Sequence, residues 1–253
     1  MIVRSEQIQT LEAYANAAFA REMAEHLKLF APKLCEVVGE PAVLQIAESG
    51  IERARGYGLT NRGPVRFFLE LLCTMGSGFD TDPQLRWASE TLTDGSIQTD
   101  MFRAERLHER MVVYLDRVAG PNHQYAIDAL KRLLEFNFEI APREGWSEKA
   151  VLNVIAHLYP QKYEFIGEPV ASTIARQAAA EAAQYGLPSG KGAAALAGTK
   201  FAMGHRICED PFYPWIAAAL KDPRIVDGER RLARLVSKLR TYGTHVLAYF
   251  SQS

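Results

Sequence analysis

The sequence predicts an all-α protein made of two related helical bundles of about five helices each. Apolar side chains recur at the three-and-four spacing of a helical face along most of the chain, whereas no stretch keeps the period-two alternation of a strand. A motif of the first half also returns in the second half at a constant offset. This recurrence predicts a tandem duplication of one unit.

The repeated motif occupies residues 75–97, MGSGFDTDPQLRWASETLTDGSI, and residues 203–225, MGHRICEDPFYPWIAAALKDPRI. Its methionine-glycine, aspartate-proline, tryptophan, leucine, aspartate and isoleucine keep their order and spacing. The separation of position 203 from position 75 is called here the repeat offset. It is far longer than the ~20–50 residues of solenoid repeats, so it indicates a duplicated domain. The same offset relates further pairs: Pro32 and Pro160, Gly39 and Gly167, Tyr57 and Tyr185, Leu107 and Leu235, Tyr114 and Tyr242.

The first unit, residues 1–120, is predicted to contain helices over residues 5–30, 41–57, 63–75, 82–94 and 99–118. The second of these begins with Pro41 in its first turn, where the missing N–H costs nothing. The fourth is predicted to direct Trp87 and Leu92 inward. The first carries an apolar stripe along one face, formed by Ile8, Leu11, Tyr14, Ala15, Ala18, Phe19, Met23 and Leu27.

Turn residues shared by both units are predicted to be structural caps. A glycine just past a helix end adopts the left-handed conformation, and the following leucine folds back onto the last turn. An aspartate before a proline accepts a hydrogen bond at a helix start, while the proline fills the first helical position. The predicted caps are Gly58, Asp82, Pro83, Gly186, Asp210 and Pro211.

Residues 121–146 are predicted to connect the two units through a helix at residues 124–138 and a proline-containing break. The second unit, residues 147–253, is predicted to contain helices over residues 147–158, 169–184, 192–203, 211–220 and 227–250, with Ser147 as an N-cap. Alanine triplets at residues 178–180 and 193–195 stand where the first unit has larger side chains. Such small residues either let helices approach closely or leave a groove.

Composition excludes several classes of function. The formal net charge is −1, so no overall positive field attracts nucleic acid or an anionic membrane. Three scattered cysteines, Cys35, Cys73 and Cys208, do not form a disulfide framework and suit a reducing compartment. The sequence shows no signal peptide and no apolar run of the ~20 residues needed to span a bilayer. We therefore predict a soluble, cytoplasmic protein without membrane insertion.

No motif predicts a catalytic, cofactor or metal site. Residues 186–192, GLPSGKG, resemble a phosphate loop, but the glycine spacing is one residue short and no strand precedes it. His205 and Cys208 have a spacing compatible with metal binding, yet a structural site needs four ligands. Asp80 and Glu90 are acidic, but no nucleophile or base accompanies them. Asp82 is already accounted for as a cap.

The second unit replaces Gln84-Leu85-Arg86-Trp87 with Phe212-Tyr213-Pro214-Trp215. Three aromatic side chains on the first turns of one helix cannot all face a single core stripe. At least one is expected either on the surface, where it favours a protein contact, or against the other unit. The predicted partner-binding residues are Asp80, Trp87, Phe212, Tyr213 and Trp215.

The pattern Met-Gly-x-x-Phe-Asp-Thr-Asp-Pro-Gln-Leu-x-Trp-Ala, preceded by Tyr-Gly-Leu and by an opening MIVRSEQIQTLEAYA, resembles a family of small helical bacterial proteins of unassigned activity. The genes of that family commonly lie beside those for type VI secretion spike proteins and toxins. The resemblance covers residues 1–119 closely and the second unit more loosely. In the second unit, Ile207-Cys208-Glu209 replaces Phe-Asp-Thr.

This resemblance implies a non-enzymatic accessory protein, of adaptor or chaperone-like character, whose partner is a secreted effector or toxin or its spike. One alternative is an immunity protein that neutralises a cognate toxin. A second alternative, of another class, is an enzyme or cell-wall-binding subunit that uses a cleft between the two units.

Overall fold

The structure, a computed structural model, describes residues 5–138 and 145–250, with the side chains described from residue 10 onward. No strand occurs in these ranges, and the predicted all-α class is confirmed. None of the described helices combines the length and apolarity needed to cross a membrane. The helices are α1 Ser5–Phe30, α2 Pro32–Val38, α3 Glu40–Gly56, α4 Arg62–Met75, α5 Arg86–Thr93, α6 Asp100–Val118, α7 Gln124–Glu135, α8 Glu148–Leu158, α9 Pro160–Ile166, α10 Glu168–Gln184, α11 Ser189–Met203, α12 Pro214–Leu220 and α13 Gly228–Phe250.

Most helix boundaries in α8–α13, called here the second half, match boundaries in α1–α6, the first half, at the repeat offset. Thus the first residues of α2, α3 and α5 correspond to those of α9, α10 and α12, and α4 and α11 both end at a methionine of the repeated motif. The long helix α1 is an exception, because α8 matches only its C-terminal part. The fold therefore places equivalent sequence positions on equivalent helices.

The predicted glycine caps end α3 and α10 in the same way. The N–H of Leu59 donates to Ala54 O at 3.0 Å, and Gly58 adopts a φ of +74°. In the second half, the N–H of Leu187 donates to Ala182 O at 2.8 Å, and Gly186 adopts a φ of +64°. Each leucine is buried at the helix end, which is the contact expected for this type of cap.

Several predicted boundaries were wrong. The sequence-based prediction missed α2 and α9, each seven residues long, which begin directly at Pro32 and Pro160. Asp82 caps a 3-10 turn, Pro83–Leu85, that precedes α5, and α12 begins at Pro214 after a turn at residues 211–213. The helix predicted over residues 124–138 ends at Glu135, and residues 139–144 of the linker lie outside the described ranges.

The small residues of the second half allow close helix packing. The alanines of α11 at positions 193–195 are fully buried, as are Ala171, Ala175 and Ala178 of α10. Helix α11 also packs on α8 and α7. A Cβ added to Gly192 would lie 2.6 Å from Leu187 Cβ, so this position has no space for a side chain. Of the two alternatives for these small residues, the structure shows close approach along α10 and α11.

The apolar stripe of α1 is only partly covered. Met23 and Leu27 are buried against the core, at 3% and 0% exposure. Nearer the N-terminus, Leu11 and Tyr14 are 65% and 70% exposed, and Leu11, which precedes Leu27 by about four and a half turns, lies on nearly the opposite side of the helix. Helix α8, the counterpart of α1, begins only at Glu148 and lacks these N-terminal turns. The predicted stripe therefore does not form one face of the helix: its C-terminal part packs on the core, whereas Leu11 and Tyr14 form a separate, exposed apolar pair.

Candidate functional site at the seam between the two halves

The two copies of the repeated motif cross at a seam and exchange hydrogen bonds. Asp82 accepts from the N–H of Gln84 through Oδ1 at 2.9 Å, which caps its own turn. Its other oxygen, Oδ2, accepts from the N–H of His205 in the opposite half at 2.9 Å. One carboxylate thus caps a 3-10 turn in the first half and binds a loop of the second.

Asp210 makes the same two contacts in the reverse direction. It accepts from the N–H of Phe212 in its own half at 2.9 Å and from the N–H of Ser77 in the first half at 2.8 Å. Ser77 and His205 are themselves related by the repeat offset, as are the two aspartates. The seam is therefore a reciprocal contact between equivalent positions.

Two glycines allow the loops to approach so closely. Gly76 has φ and ψ of +97° and 152°, and Gly204 has +114° and 149°, a region that is essentially restricted to glycine. A Cβ on Gly76 would lie 3.1 Å from Met203 O, and one on Gly204 would lie 3.5 Å from Met75 O. Glycine is required at both positions by conformation and, at Gly76, also by space.

The carbonyl groups at the crossing are satisfied by cations that differ between the halves. In the first half, Arg53 of α3 donates to Ser77 O at 2.6 Å and forms an ion pair with Asp80. In the second half, Lys200 of α11 donates to the equivalent carbonyl of His205 and pairs with Glu181 at 2.6 Å. The equivalent backbone carbonyl accepts a hydrogen bond from a cation in both halves, although the cation comes from a different helix.

Asp82 and Asp210 occupy equivalent positions, but their pKa values shift in opposite directions. Burial raises the pKa of Asp210, and the hydrogen bonds that it accepts from the N–H groups of Ser77 and Phe212 only partly offset this rise. Burial also raises the pKa of Asp82, but contact with His205 and the charge of Lys162 outweigh it and lower the pKa below its usual value. The imidazole Nδ1 of His205 lies 3.4 Å from Asp82 Oδ2, outside hydrogen-bonding geometry. The asymmetry arises because the first half has Leu34 and Ser77 at the positions of these two residues.

Lys162 is a buried cation at the seam. Its Nζ donates to Phe201 O at 2.6 Å in the last turn of α11, where a positive charge complements the helix dipole. The ammonium also lies 5.3 Å from the centre of the Phe201 ring. Burial lowers the pKa of Lys162 to about 8, although the negative charge of Asp82 partly opposes this shift.

The pH dependence of stability is expected to report Lys162. Between about pH 8 and the ordinary lysine pKa of 10.5, the folded state has lost a proton that the unfolded state retains. The free energy of unfolding of the wild type is therefore expected to rise relative to Lys162→Met by about 3 kcal/mol across this window. Denaturant unfolding of both proteins from pH 7 to 10.5 measures the difference, and a difference independent of pH would contradict the assignment.

The structure places the predicted partner-binding residues mostly in the interior. Asp80 is buried and held by Arg53 and by Tyr57, whose hydroxyl donates to Oδ2 at 3.1 Å. Phe212 is 1% exposed. These two side chains are not presented to a partner. Phe212 is therefore not the exposed aromatic that the sequence predicted for this cluster. The ring of Tyr213 packs on that of Tyr242, with 5.6 Å between their centres.

Trp87 and Trp215 lie in equivalent surroundings. Each is partly buried against the core, with its ring 5.9 Å from Tyr114 and 5.6 Å from Tyr242, respectively. The repeat offset relates these two tyrosines as well. Each indole N–H is buried, and no described residue accepts a hydrogen bond from it. Both tryptophans act as anchors of their own half in this structure.

A cavity of about 770 Å³ opens along the seam, and its lining is mainly apolar. Both halves contribute equivalent residues to it, including Gly76 with Gly204 and Tyr114 with Tyr242. The polar residues of its lining include Asp82 and Lys162, whose charged groups are engaged in the contacts described above.

The other motifs of the sequence acquire structural roles. Residues 186–188 belong to the turn before α11 and residues 189–192 form its first turn, where Lys191 lies 3.4 Å from Glu229. Glu90 is exposed and pairs with Arg86 and Arg110. In the part of the chain that is described, no three histidine, cysteine or acidic side chains cluster as metal ligands, and Cys208 is buried.

Sequence reasoning missed the cations of the seam. Lys162 and Lys200 stand where the first half has Leu34 and Leu72, so each is a charged residue at an apolar position of the helical pattern. That mismatch between equivalent positions was the available signal. Comparison of the chain with protein-family models, with curated proteins and with solved structures yields no match.

Proposed function

We propose that the protein is a non-enzymatic accessory protein of adaptor or chaperone-like character, acting in the cytoplasm, that binds a secreted toxin or its spike. The observation that carries this proposal is the exposed apolar pair of α1, Leu11 and Tyr14, which are 65% and 70% exposed. Apolar side chains on one helical face are a common means of partner binding. The resemblance of the repeated motif to proteins encoded beside secretion genes indicates the class of partner.

The contacts at the seam indicate that the residues kept in both halves have a structural role. Asp82 and Asp210 use both carboxylate oxygens to accept backbone N–H groups, and Arg53 and Lys200 hold the loop carbonyls. Groups that are engaged in this way stabilise the crossing of the two loops. We infer that a duplicated unit was retained for its fold, and that partner binding does not use these hydrogen-bonded groups.

The test is co-purification of the chain with the toxin and spike proteins encoded beside its gene. We expect capture of one of them by the wild type. Changing Leu11 and Tyr14 together to glutamate is expected to weaken capture roughly tenfold or more, because both side chains lie on one exposed helical face. Val226→Glu is the matched control, since Val226 is 89% exposed in a loop.

Binding of neither neighbour, or equal capture by the α1 variant and the wild type, would contradict the proposal. The immunity alternative predicts a different phenotype. An immunity protein rescues cells that express the toxin, whereas an adaptor is required for export of the toxin and does not protect those cells.

A further inference from the structure

Helix α7 covers a defined surface of the second half, called here the α7 seat. It packs against α8, α11 and α13. Leu133 of α7 lies over Gly198 of α11, and Leu134 lies over Gly243 of α13. The guanidinium of Arg132 donates to Leu158 O at the end of α8, at 3.3 Å.

The first half has a corresponding surface, on which none of the described helices packs as α7 does. The repeat offset relates Leu158, Gly198 and Gly243 to Phe30, Glu70 and Leu115, at the corresponding places on α1, α4 and α6. These three residues of the first half line the seam cavity. We call this surface the bare seat; it consists of Phe30, Phe67, Glu70, His108, Met111 and Leu115.

The edges of the bare seat lack the contacts that the α7 segment makes in the second half. Leu29 is 83% exposed, whereas its counterpart His157 contacts the ring of Phe136 at the end of α7. Val112 is also exposed, whereas its counterpart Arg240 donates to Leu134 O of α7 at 3.2 Å. The apolar side chains exposed here occupy positions that the α7 segment contacts in the second half.

We infer that the bare seat binds an amphipathic helix of a partner protein in the manner in which the α7 seat binds α7. This inference rests on the proposed function, because it gives the same partner a second contact, separate from Leu11 and Tyr14 of α1. The fold supplies two walls for such a helix. One wall is the bare seat, and the other is the face of α7 itself, where Ala126, Ile127 and Leu130 line the same cavity.

The floor of the bare seat also defines the chemistry of the helix that fits. A Cβ on Gly198 would lie 3.3 Å from Leu133 Cδ1, and a Cβ on Gly243 would lie 2.5 Å from Leu134 Cδ2. Glu70 and Leu115 replace these glycines in the bare seat, so two leucines at the same depth would overlap with them. The fitting helix therefore carries small side chains, such as alanine, at those two positions and larger apolar side chains elsewhere on its face.

Charge at the floor does not oppose an apolar helix. The carboxylate of Glu70 is held by His26 at 2.7 Å and lies 3.5 Å from Arg66. It is therefore already paired with groups of its own half. An incoming helix therefore needs no charged side chain there. The burial of its apolar surface supplies most of the binding free energy.

The probe is a fluorescently labelled peptide with the sequence of residues 124–138. Positions 124 and 128, whose side chains already hydrogen-bond at 2.9 Å, are stapled so that the peptide stays helical. A second peptide carries Leu133→Ala and Leu134→Ala. Fluorescence anisotropy with the full chain is expected to show roughly tenfold tighter binding of the alanine peptide than of the native-sequence peptide, because only the former avoids overpacking.

Two chain variants locate the binding. Phe30→Glu, at a position that is 42% exposed, is expected to weaken binding of the alanine peptide roughly tenfold or more. Phe102→Glu is the matched control, since Phe102 is 65% exposed and lies on the opposite face of α6 from Met111. Bound peptide is also expected to slow modification of the Cys73 thiol, which lines the cavity, and Cys73→Ser identifies that thiol among the three.

Several outcomes would overturn the inference. It fails if neither peptide binds, if the native-sequence peptide binds more tightly, or if Phe30→Glu binds like the wild type. It also fails if sedimentation shows a dimer that Phe30→Glu dissociates, because the bare seat would then hold a second copy of the chain. Capture of the neighbouring toxin or spike without peptide binding rejects this inference alone, whereas peptide binding without capture of either neighbour rejects the proposed function.

Discussion

Replacing Asp82 by alanine is expected to lower the free energy of unfolding by about 3 to 5 kcal/mol. The change leaves the N–H groups of Gln84 and His205 without their acceptor and removes the negative charge nearest to the buried Lys162. Asp82→Asn is expected to be almost as damaging, because the asparagine side chain has one acceptor oxygen in place of the two that Asp82 uses. Chemical denaturation followed by circular dichroism measures the loss.

The chain contains a matched control for this change. Asp94 accepts a hydrogen bond from the N–H of Ser96 at 2.8 Å, which is the same two-residue spacing as between Asp82 and Gln84. Unlike Asp82, Asp94 is exposed, and the hydrogen bonds of its side chain are with Ser96 of its own half. Asp94→Ala is expected to cost much less. Equal losses for the two variants would mean that the cross-seam hydrogen bond and the buried charge pair contribute little to stability.

Replacing Gly76 by alanine is expected to lower the free energy of unfolding by about 3 kcal/mol. Alanine rarely adopts the φ of +97° found here, and its Cβ would lie 3.1 Å from Met203 O. Gly204→Ala is expected to cost somewhat less, because the corresponding distance to Met75 O is 3.5 Å. Unfolding curves of both variants test this order.

Gly56→Ala provides the control for Gly76→Ala. Gly56 is the last residue of α3, and no atom lies within 4 Å of a Cβ added there. This change is expected to leave stability unchanged or to raise it slightly, because alanine favours the helix and restricts the unfolded chain. A similar loss for Gly56→Ala and Gly76→Ala would contradict the special requirement for glycine at the seam.

Local chemistry made much of the fold predictable from sequence. The ends of α3 and α10 depend on a glycine and the leucine that follows it, and both residues are visible in the sequence. The seven-residue helices α2 and α9 were missed because they are too short to show a period. Their first residues, Pro32 and Pro160, each occupy the first position of a new helix, where the missing N–H costs nothing.

The contacts of the site were less predictable because their partners are distant in sequence. Asp82 and Asp210 stood out as residues kept in both halves, but a local capping role already accounted for them. The second hydrogen bond of each, to His205 and to Ser77, leaves no local pattern in the sequence. Asp80 was predicted to bind a partner, but the ion pair with Arg53 accounts for its burial.

The crossed aspartates have a consequence for assembly. Each half offers one acceptor and one donor at equivalent positions, which is the arrangement of an isologous interface between identical subunits. The same bonds form equally well when the first half of one molecule meets the second half of another. The connecting segment favours the closed monomer, because it gives the two halves of one chain a high effective concentration for each other.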